Sequence, residues 1–593
     1  MSDHRFGGRR RRGVLSRRAL VRDAPLLALA AGSLHRGLRQ GESGMATPQV
    51  PVGDGYHEPD STFFATAFVE SSERVDTESE GDLWPCTWAD DGQVYLLNGD
   101  GYGFDRTDLW SDIVMNRISG TPETGIAGER LAAGIAIAPI WGDPERYNRK
   151  PTGIVAVDGD GDGRDELYAA IQDLRHGDHA FDDAPTASIA VSRDYGRTWQ
   201  STDEPMFTDH VFTTIFFLDF GQSNASASVL GPDGADYVYA YGIDYNWRDS
   251  FSDTVQDPTD LYLARVPIDS IQDRATWAFF AGLEGDAPHW SPTIEDRVPV
   301  LTETRRVYPS MRGPGIHNMT VISQGSVVYN RPLDRYIYSS WTEYTFEFYE
   351  APRPWGPWKL FLRKDFGAYP WFGGGDDGCL TPKNGGYATV IPSKFISDDG
   401  RTMWVQANWF VEVGCGSPNY NFSLRKLVVA PHVATEPENQ PSASDNLAVV
   451  EGVVPIEKST HFGQEDALND GKTDRFDDSF DREEKTVDFW GYTWPRTHNL
   501  NRVVYTTGPI NPDGGWFERD LRVQVRRDFA WHDVDGLSIT PEYPLDDTTE
   551  PFTAYTLAFD ETWGDGVRII GTPGGRGRYT SISELEVYYA PDD

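Results

Sequence analysis

The sequence predicts an all-β protein, a five-bladed β-propeller followed by a C-terminal β-sandwich. Three observations carry this expectation. At 593 residues the chain is too long for a single hydrophobic core. Its 59 Gly, 39 Pro, 19 Trp, 27 Tyr and 30 Phe form an aromatic, turn-rich mixture suited to many short strands. From about residue 80, strand–turn–strand units recur until a Pro-, Ser- and Glu-rich stretch interrupts them.

The first unit, WPCTWADDGQVYLLNG (84–99), has β-type residues on both sides of an Asp-Gly turn. The second is IVAVDGDGDGRDELYAAI (154–171), leading into ASIAVSRDYGRTW (187–199). VFTTIFFLDF and DYVYAYGI (211–220, 236–243) form the third, and NMTVISQGSVVYNRPLDRYIYSSW (318–341) the fourth. GGYATVIPSKFISDDGRTMWVQANWF (385–410) is the fifth. Radial repetition of small antiparallel sheets is a propeller, so five units imply five four-stranded blades over 60–430. Residues 431–454 read as linker, and an eight-stranded sandwich is expected over 455–593. Ser192–Trp199 fits the Asp-box pattern S-x-D-x-G-x-T-W, with a shortened version at Ser397–Trp404. Such a hairpin uses its Asp and Ser to bind its own turn, so its expected role is structural.

A formal net charge of -39 repels phosphate backbones and argues against a nucleic-acid partner. Only nine residues are Lys, against 44 Arg. That excess of acid suits solubility in high salt, a halophilic trait, and also plain drift toward an acidic surface. No run of about 18 apolar residues occurs, so no transmembrane segment is expected. Ser16-Arg17-Arg18-Ala19-Leu20-Val21-Arg22 followed by the apolar run 26–34 matches a twin-arginine export signal. Residues 1–44 are then an export signal, and the mature protein is extracellular or on the cell surface. A start at Met45 would leave it cytoplasmic. Three cysteines make no disulfide framework. Cys379 and Cys415, both in Gly-rich contexts, suit a bridge between loops as well as they suit free thiols.

The densest functional signal is GDLWPCTWADDG (81–92) followed by NGDGYGF (98–104). Asp82 precedes the first strand and Asp100 follows its hairpin partner, so both carboxylates can share one face. Glycoside hydrolysis needs two such groups, one ionised as base or nucleophile and one kept protonated as acid. The same residues also suit turn chemistry. Asp90 and Asp91 belong to the turn and face solvent. Trp84, Trp88, Tyr102, His317, Asn318 and Trp371 are candidate sugar contacts, with Tyr245, Trp247 and Trp409 as further aromatics beside loops. Glu343 and Glu347 are spare acids. Asp158, Asp160, Asp162 and Glu166 form a D-x-D-x-D-G-x-x-E loop whose carboxylates can surround one calcium ion and pin a hairpin.

GDLWPCTWADDGQVYLLNGDGYGF closely resembles the opening motif of an uncharacterised-domain propeller family associated with endo-D-arabinanases. APRPWGPWKL (351–360) and GGYATVIPSKFISDDGRTMW (385–404) resemble phrases of that family's closing blades. The resemblance spans about 60–430 and implies a five-bladed glycoside hydrolase of furanose polymers, with Asp82 and Asp100 as the paired acids. The C-terminal segment resembles the discoidin-like, coagulation-factor type C domain, a galactose-binding-like jelly roll found in carbohydrate-binding modules. The residues that carry this are DALNDGKT (466–473), GVRIIG (566–571) and SISELEV (581–587). It implies a shared calcium ion contacted by Asp470, Thr473 and Glu584. The expected partner is a polysaccharide or cell-surface glycan, and a non-catalytic adhesin is the competing function. The sequence leaves the oligomeric state open.

Overall fold

The computed structural model describes residues 56–176, 181–248, 255–307, 319–342, 345–366, 386–408, 412–413, 417–418, 420–462, 464–481 and 483–591. Among them helix is confined to short 3-10 turns, and everything else regular is strand. No helix among these residues is long and apolar enough to cross a membrane. The expected all-β architecture is what forms.

Five small antiparallel sheets make the propeller. Blade 1 stacks Cys86–Trp88, Val94–Gly103, Ser111–Thr121 and Gly125–Ala133. Blade 2 has Tyr147–Val157, Glu166–Arg175 and Thr186–Ser192, with single bridges from Ala187 to Phe207 and from Val191 to Gln200 where a fourth strand would run. Thr214–Asp219, Tyr237–Ile243, Asp260–Pro267 and Ala278–Glu284 form blade 3. Ser326–Asn330, Arg335–Trp341, Thr345–Ala351 and Lys359–Asp365 form blade 4. In blade 5 a bridge from Val390 to Gln406 marks the inner edge, followed by Thr402–Ala407 and Ser423–Pro431. Its outer strand is Phe64–Val75, paired antiparallel to Ser423–Pro431, so the first strand among the described residues closes the ring. Near-continuous apolar runs explain the inner positions. Ile154–Val157, Ile215–Leu218 and Val327–Val328 are all buried between blades.

The inner strands run the same way along the axis. Those of blades 3 and 4 pair parallel at Leu218 with Val327, and Ala156 N–H of blade 2 donates to Thr87 Oγ1 of blade 1 at 2.9 Å. One end of the propeller therefore collects the strand starts, and the other collects their ends. The Asp-box lies at the second end. Asp194 takes the Thr198 N–H at 2.8 Å and the Thr198 hydroxyl at 2.7 Å, and Trp199 Nε1 donates to Gly196 O.

The sandwich has eight strands, and two long ones serve both layers. Asp488–Thr507 and Ala554–Pro573 pair with each other along both halves, with register shifts between Thr493 and His498. Their one end joins Val454–Glu457 and Phe517–Arg527, and the other joins Ser581–Tyr588 and Ser538–Thr540. Trp490, Tyr492, Trp494, Tyr505 and Phe517 fill the core between the layers.

The sandwich rests on the outer edges of blades 4 and 5. Arg526 donates to Ala65 O at 2.7 Å, Arg568 to Glu58 at 2.6 Å, and Arg363 to Lys458 O at 3.1 Å. Glu457 lies in this junction. Burial pushes its carboxyl up to about 7, with Asp477 and Asp365 adding to the shift and Lys364 and Arg363 opposing it. A carboxyl raised in the folded state gives stability that is complete below its unfolded value and is lost as pH rises through about 7. Glu457→Gln should therefore gain melting temperature over the parent between pH 5 and pH 8. A difference that stays flat with pH would show that Glu457 titrates normally.

Candidate active site

Asp82 ends the strand Glu80–Asp82, directly opposite Gly99 in Val94–Gly103. Asp100 is the next residue on that strand, so it lies within it and not beyond it as the sequence implied. A kink makes this possible. Asp100 has φ 39, and Leu83 and Trp84, just after Asp82, have φ 73 and 57. Three non-glycine residues in the left-handed region around two acids are strain of the kind that surrounding packing must impose. Gly99 is needed for close approach. A Cβ there would stand 2.3 Å from Asp82 Oδ1 and 3.0 Å from Lys150 Nζ.

Both carboxylates meet one lysine. Lys150, on the inner strand Tyr147–Val157, places Nζ 2.6 Å from Asp100 Oδ2 and 3.7 Å from Asp82 Oδ1. Those two oxygens are thus closer than the two lengths laid end to end. That is under the roughly 6.5 Å at which inverting carboxylate pairs begin. Tyr387 donates its hydroxyl to Asp82 Oδ2 at 2.8 Å, and Tyr420 donates to the same oxygen. Exposures are 1% for both Lys150 and Asp82 and 6% for Asp100. The sequence reading asks for one drier acid, but the two are about equally dry. Among the described residues, Asp100 has an ammonium at short range, and Asp82 has two phenols and a more distant ammonium. Gln324 Nε2 of blade 4 reaches Pro151 O of blade 2 at 3.1 Å, which puts the site at the propeller axis.

Lys150, Tyr387 and Tyr420 were not singled out in the sequence, whereas Gly99 was read as room for a sugar and in the structure leaves room for Asp82 and Lys150. Of the expected sugar contacts, Trp84 is fully buried. It packs edge-on against Phe104 and Phe422 and donates to Gly81 O, so it is core. Trp88 pairs with Val94, whereas Asp82 pairs with Gly99. Five residues of strand, about 16 Å, separate them. Trp88 instead lines a cavity of about 940 Å³ at the opposite end of the propeller, with Gln222, Arg331 and Lys394. Tyr102 is half-buried two residues beyond Asp100. Trp247 is buried edge-on against Trp341, and its Nε1 donates to Phe181 O. Glu347, the spare acid, is fully buried and clasped by Arg305 at 3.2 and 3.0 Å. That pairing makes it a structural ion-pair partner in the blade. Asp90 and Asp91 are exposed, as a turn requires. His317, Asn318, Trp371, Trp409, Glu343, Cys379, Cys415 and residues 1–44 lie outside the described residues.

In the acidic loop, Asp158, Asp160 and Glu166 bring carboxylate oxygens within 4.8 Å of one another. Asp162 is not part of that group, and all four carboxylates accept N–H bonds from the loop itself. Three hard oxygens at that spacing fit the 2.3–2.6 Å bonds of one calcium ion. In the sandwich, Glu584 takes Gly471 N–H at 3.3 Å, and burial, aided by Asp470, pushes its carboxyl up to about 7. Its Oε2 is buried without a hydrogen-bond partner among the described residues, which also fits a cation. Asp470, however, is held by Arg475 at 2.6 Å and Lys472 at 3.7 Å, and Thr473 is exposed.

The chain is thus an all-β propeller with paired acids on its axis and a β-sandwich docked at its side. Residues 81–363 match the profile of a family described as a domain of unknown function, DUF4185. No curated protein matches the chain. Solved structures similar to it include one titled "Glycoside hydrolase", at 10% identity and TM-score 0.29, covering 86% of this chain and 99% of that one. Two Clostridium perfringens carbohydrate-binding modules align with 23% of this chain. One was solved with GalNAc-β-1,3-galactose (17% identity, 94% of its length, TM-score 0.19), the other with galactose (16%, 93%, 0.18).

Proposed function

We propose that the protein is an exported glycoside hydrolase that cuts furanose polymers of the D-arabinan type within the chain, and that its sandwich domain holds carbohydrate. The observation that carries this is the pair Asp82 and Asp100, set on strained backbone around Lys150 at the propeller axis. One carboxylate attacks or activates water while the other protonates the departing glycosidic oxygen. Lys150 holds both carboxylates together on the axis. The short separation favours retention of anomeric configuration through a covalent intermediate. Tyr387 and Tyr420 fix the orientation of Asp82, and Gly99 leaves room for it. The acidic surface suits a saline exterior, reached through the twin-arginine sequence at Arg17 and Arg18.

The test is reducing-end release from a panel of furanose polymers, arabinans first, with product anomers followed by NMR. Cleavage with net inversion would remove the retaining geometry. Binding without any cleavage would leave an adhesin.

Calcium enters this reading as a structural ion held by Asp158, Asp160 and Glu166. Bound there, it would neutralise carboxylates that otherwise repel. Chelation at pH 7 should lower the melting temperature by several degrees, and Asp160→Asn should remove most of that response. An unchanged melting temperature, starting from protein saturated with calcium, counts against the ion.

A further inference from the structure

Five non-glycine residues in left-handed backbone cluster on three connections at the strand-start end of blades 2 and 3. They are Phe181 (φ 65), Asp209 (59), His210 (64), Phe212 (57) and Tyr245 (66). Bulky side chains avoid this region, so such a cluster persists only where the surroundings enforce it. The enforcing bonds are present. Tyr245 N–H donates to His210 O at 2.7 Å, Ala184 N–H to Tyr245 O at 3.3 Å, and His210 N–H to Pro185 O at 3.2 Å. Phe212 N–H donates to Asp244 Oδ1 at 2.7 Å, and Arg297 holds the other oxygen of Asp244 at 2.6 Å. All this bonding presents two rings. The His210 imidazole and the Tyr245 phenol lie 25° from parallel, with centroids 6.4 Å apart. Asp183 buttresses them from below, with Oδ1 3.2 Å from His210 Nδ1 and Oδ2 accepting the Tyr147 hydroxyl at 3.1 Å. Tyr245 keeps 40% of its surface open, although its φ would suit glycine better.

We propose that Tyr245, propped on His210, is a stacking platform for one ring of an uncharged, hydroxyl-rich glycan. The inference rests on the carbohydrate reading of the axial site and adds a subsite to it. Tyr147, which donates to Asp183 under the platform, stands three residues before Lys150 on one strand, so platform and acids share the strand-start end of the propeller. An aromatic face takes the C–H side of a sugar ring, while the partly exposed imidazole of His210 can bind a hydroxyl at its edge. Asp183 and Asp209, in a chain of net charge -39, disfavour a polyanionic ligand.

Two substitutions separate stacking from fold. Tyr245→Gly removes the ring and relieves the backbone, so the melting temperature should hold or rise. Tyr245→Phe keeps the ring. Both are made in full-length wild type and in the Asp82→Asn protein, and run by affinity electrophoresis through arabinan and a panel of neutral pyranose polysaccharides. At least one polysaccharide should retard the parent, with its dissociation constant raised about tenfold by Tyr245→Gly and little changed by Tyr245→Phe. If wild type cleaves that polymer, KM should rise by the same factor with kcat nearly constant. Equal retardation of Tyr245→Gly and parent on every polysaccharide, or no retardation of the parent at all, overturns the platform. Retardation lost in Tyr245→Gly without cleavage by wild type keeps the platform and overturns the hydrolase.

Discussion

Asp82→Asn and Asp100→Asn should each lower turnover on a cleaved arabinan by about 10²-fold or more while leaving the fold intact. The asparagine keeps the size of the carboxylate and can still accept the Tyr387 and Tyr420 hydroxyls at Asp82, but it neither carries the negative charge nor exchanges the proton. A glycosidic oxygen departs poorly without protonation, and the oxocarbenium-like transition state lacks its counter-charge when the carboxylate is gone. The effect should fall on kcat, because both groups act most strongly in the transition state. Azide added to the variant that lacks the nucleophile should restore part of the rate and give a glycosyl azide. Adding azide to the other variant should not give that product of inverted configuration. Full activity in both variants, measured on a polymer that wild type cuts, would take these residues out of the reaction.

Lys150→Met is expected to cost both activity and stability, the latter by about 3–5 kcal/mol, the range for removing one partner from a buried ionic cluster. Methionine fills much of the same volume, so packing is roughly preserved and the loss is electrostatic. Asp82 and Asp100 would then face each other, 1% and 6% exposed, without the cation between them. The double variant Lys150→Met with Asp100→Asn removes one of the two facing charges and should recover much of the stability but none of the activity. Urea unfolding of the four proteins makes this a double-mutant cycle. Simple additivity would show that Lys150 does not couple the pair.

The same lysine shows what could be read beforehand. The blades were legible because short runs of β-type residues bounded by turn residues are local signals, and the five units found in the sequence are the five blades. The Asp82–Asp100 pairing was legible for the same reason, since a hairpin carries its own register. Lys150 comes from the next blade, and Tyr387 and Tyr420 come from the last. Nothing local says that these strands converge on one point of the axis. One hint was present: in a chain with nine Lys against 44 Arg, a lysine at the start of an apolar strand marks a place where a compact charge is preferred to a guanidinium fork. Trp84 and Trp88 misled for a related reason. Proximity in sequence stood in for proximity in space, but the kink at Leu83 and Trp84 turns one indole into the core, and the strand carries the other to the far end.

The pairing of Phe64–Val75 with Ser423–Pro431 bears on how the protein is made. Phe64–Val75 lacks this partner until the strand that ends at Pro431 has left the ribosome. During that interval it is an unpaired edge carrying Phe64, Ala67 and Val69, a template for pairing with neighbouring nascent chains. Closure across more than 350 residues also makes the last step of folding a long-range one, and so a slow one. A circular permutant that opens the chain between two blades and joins the C-terminal end of the sandwich to that strand would bring the two pairing strands much closer in sequence. Its refolding yield at high protein concentration should exceed that of the natural order.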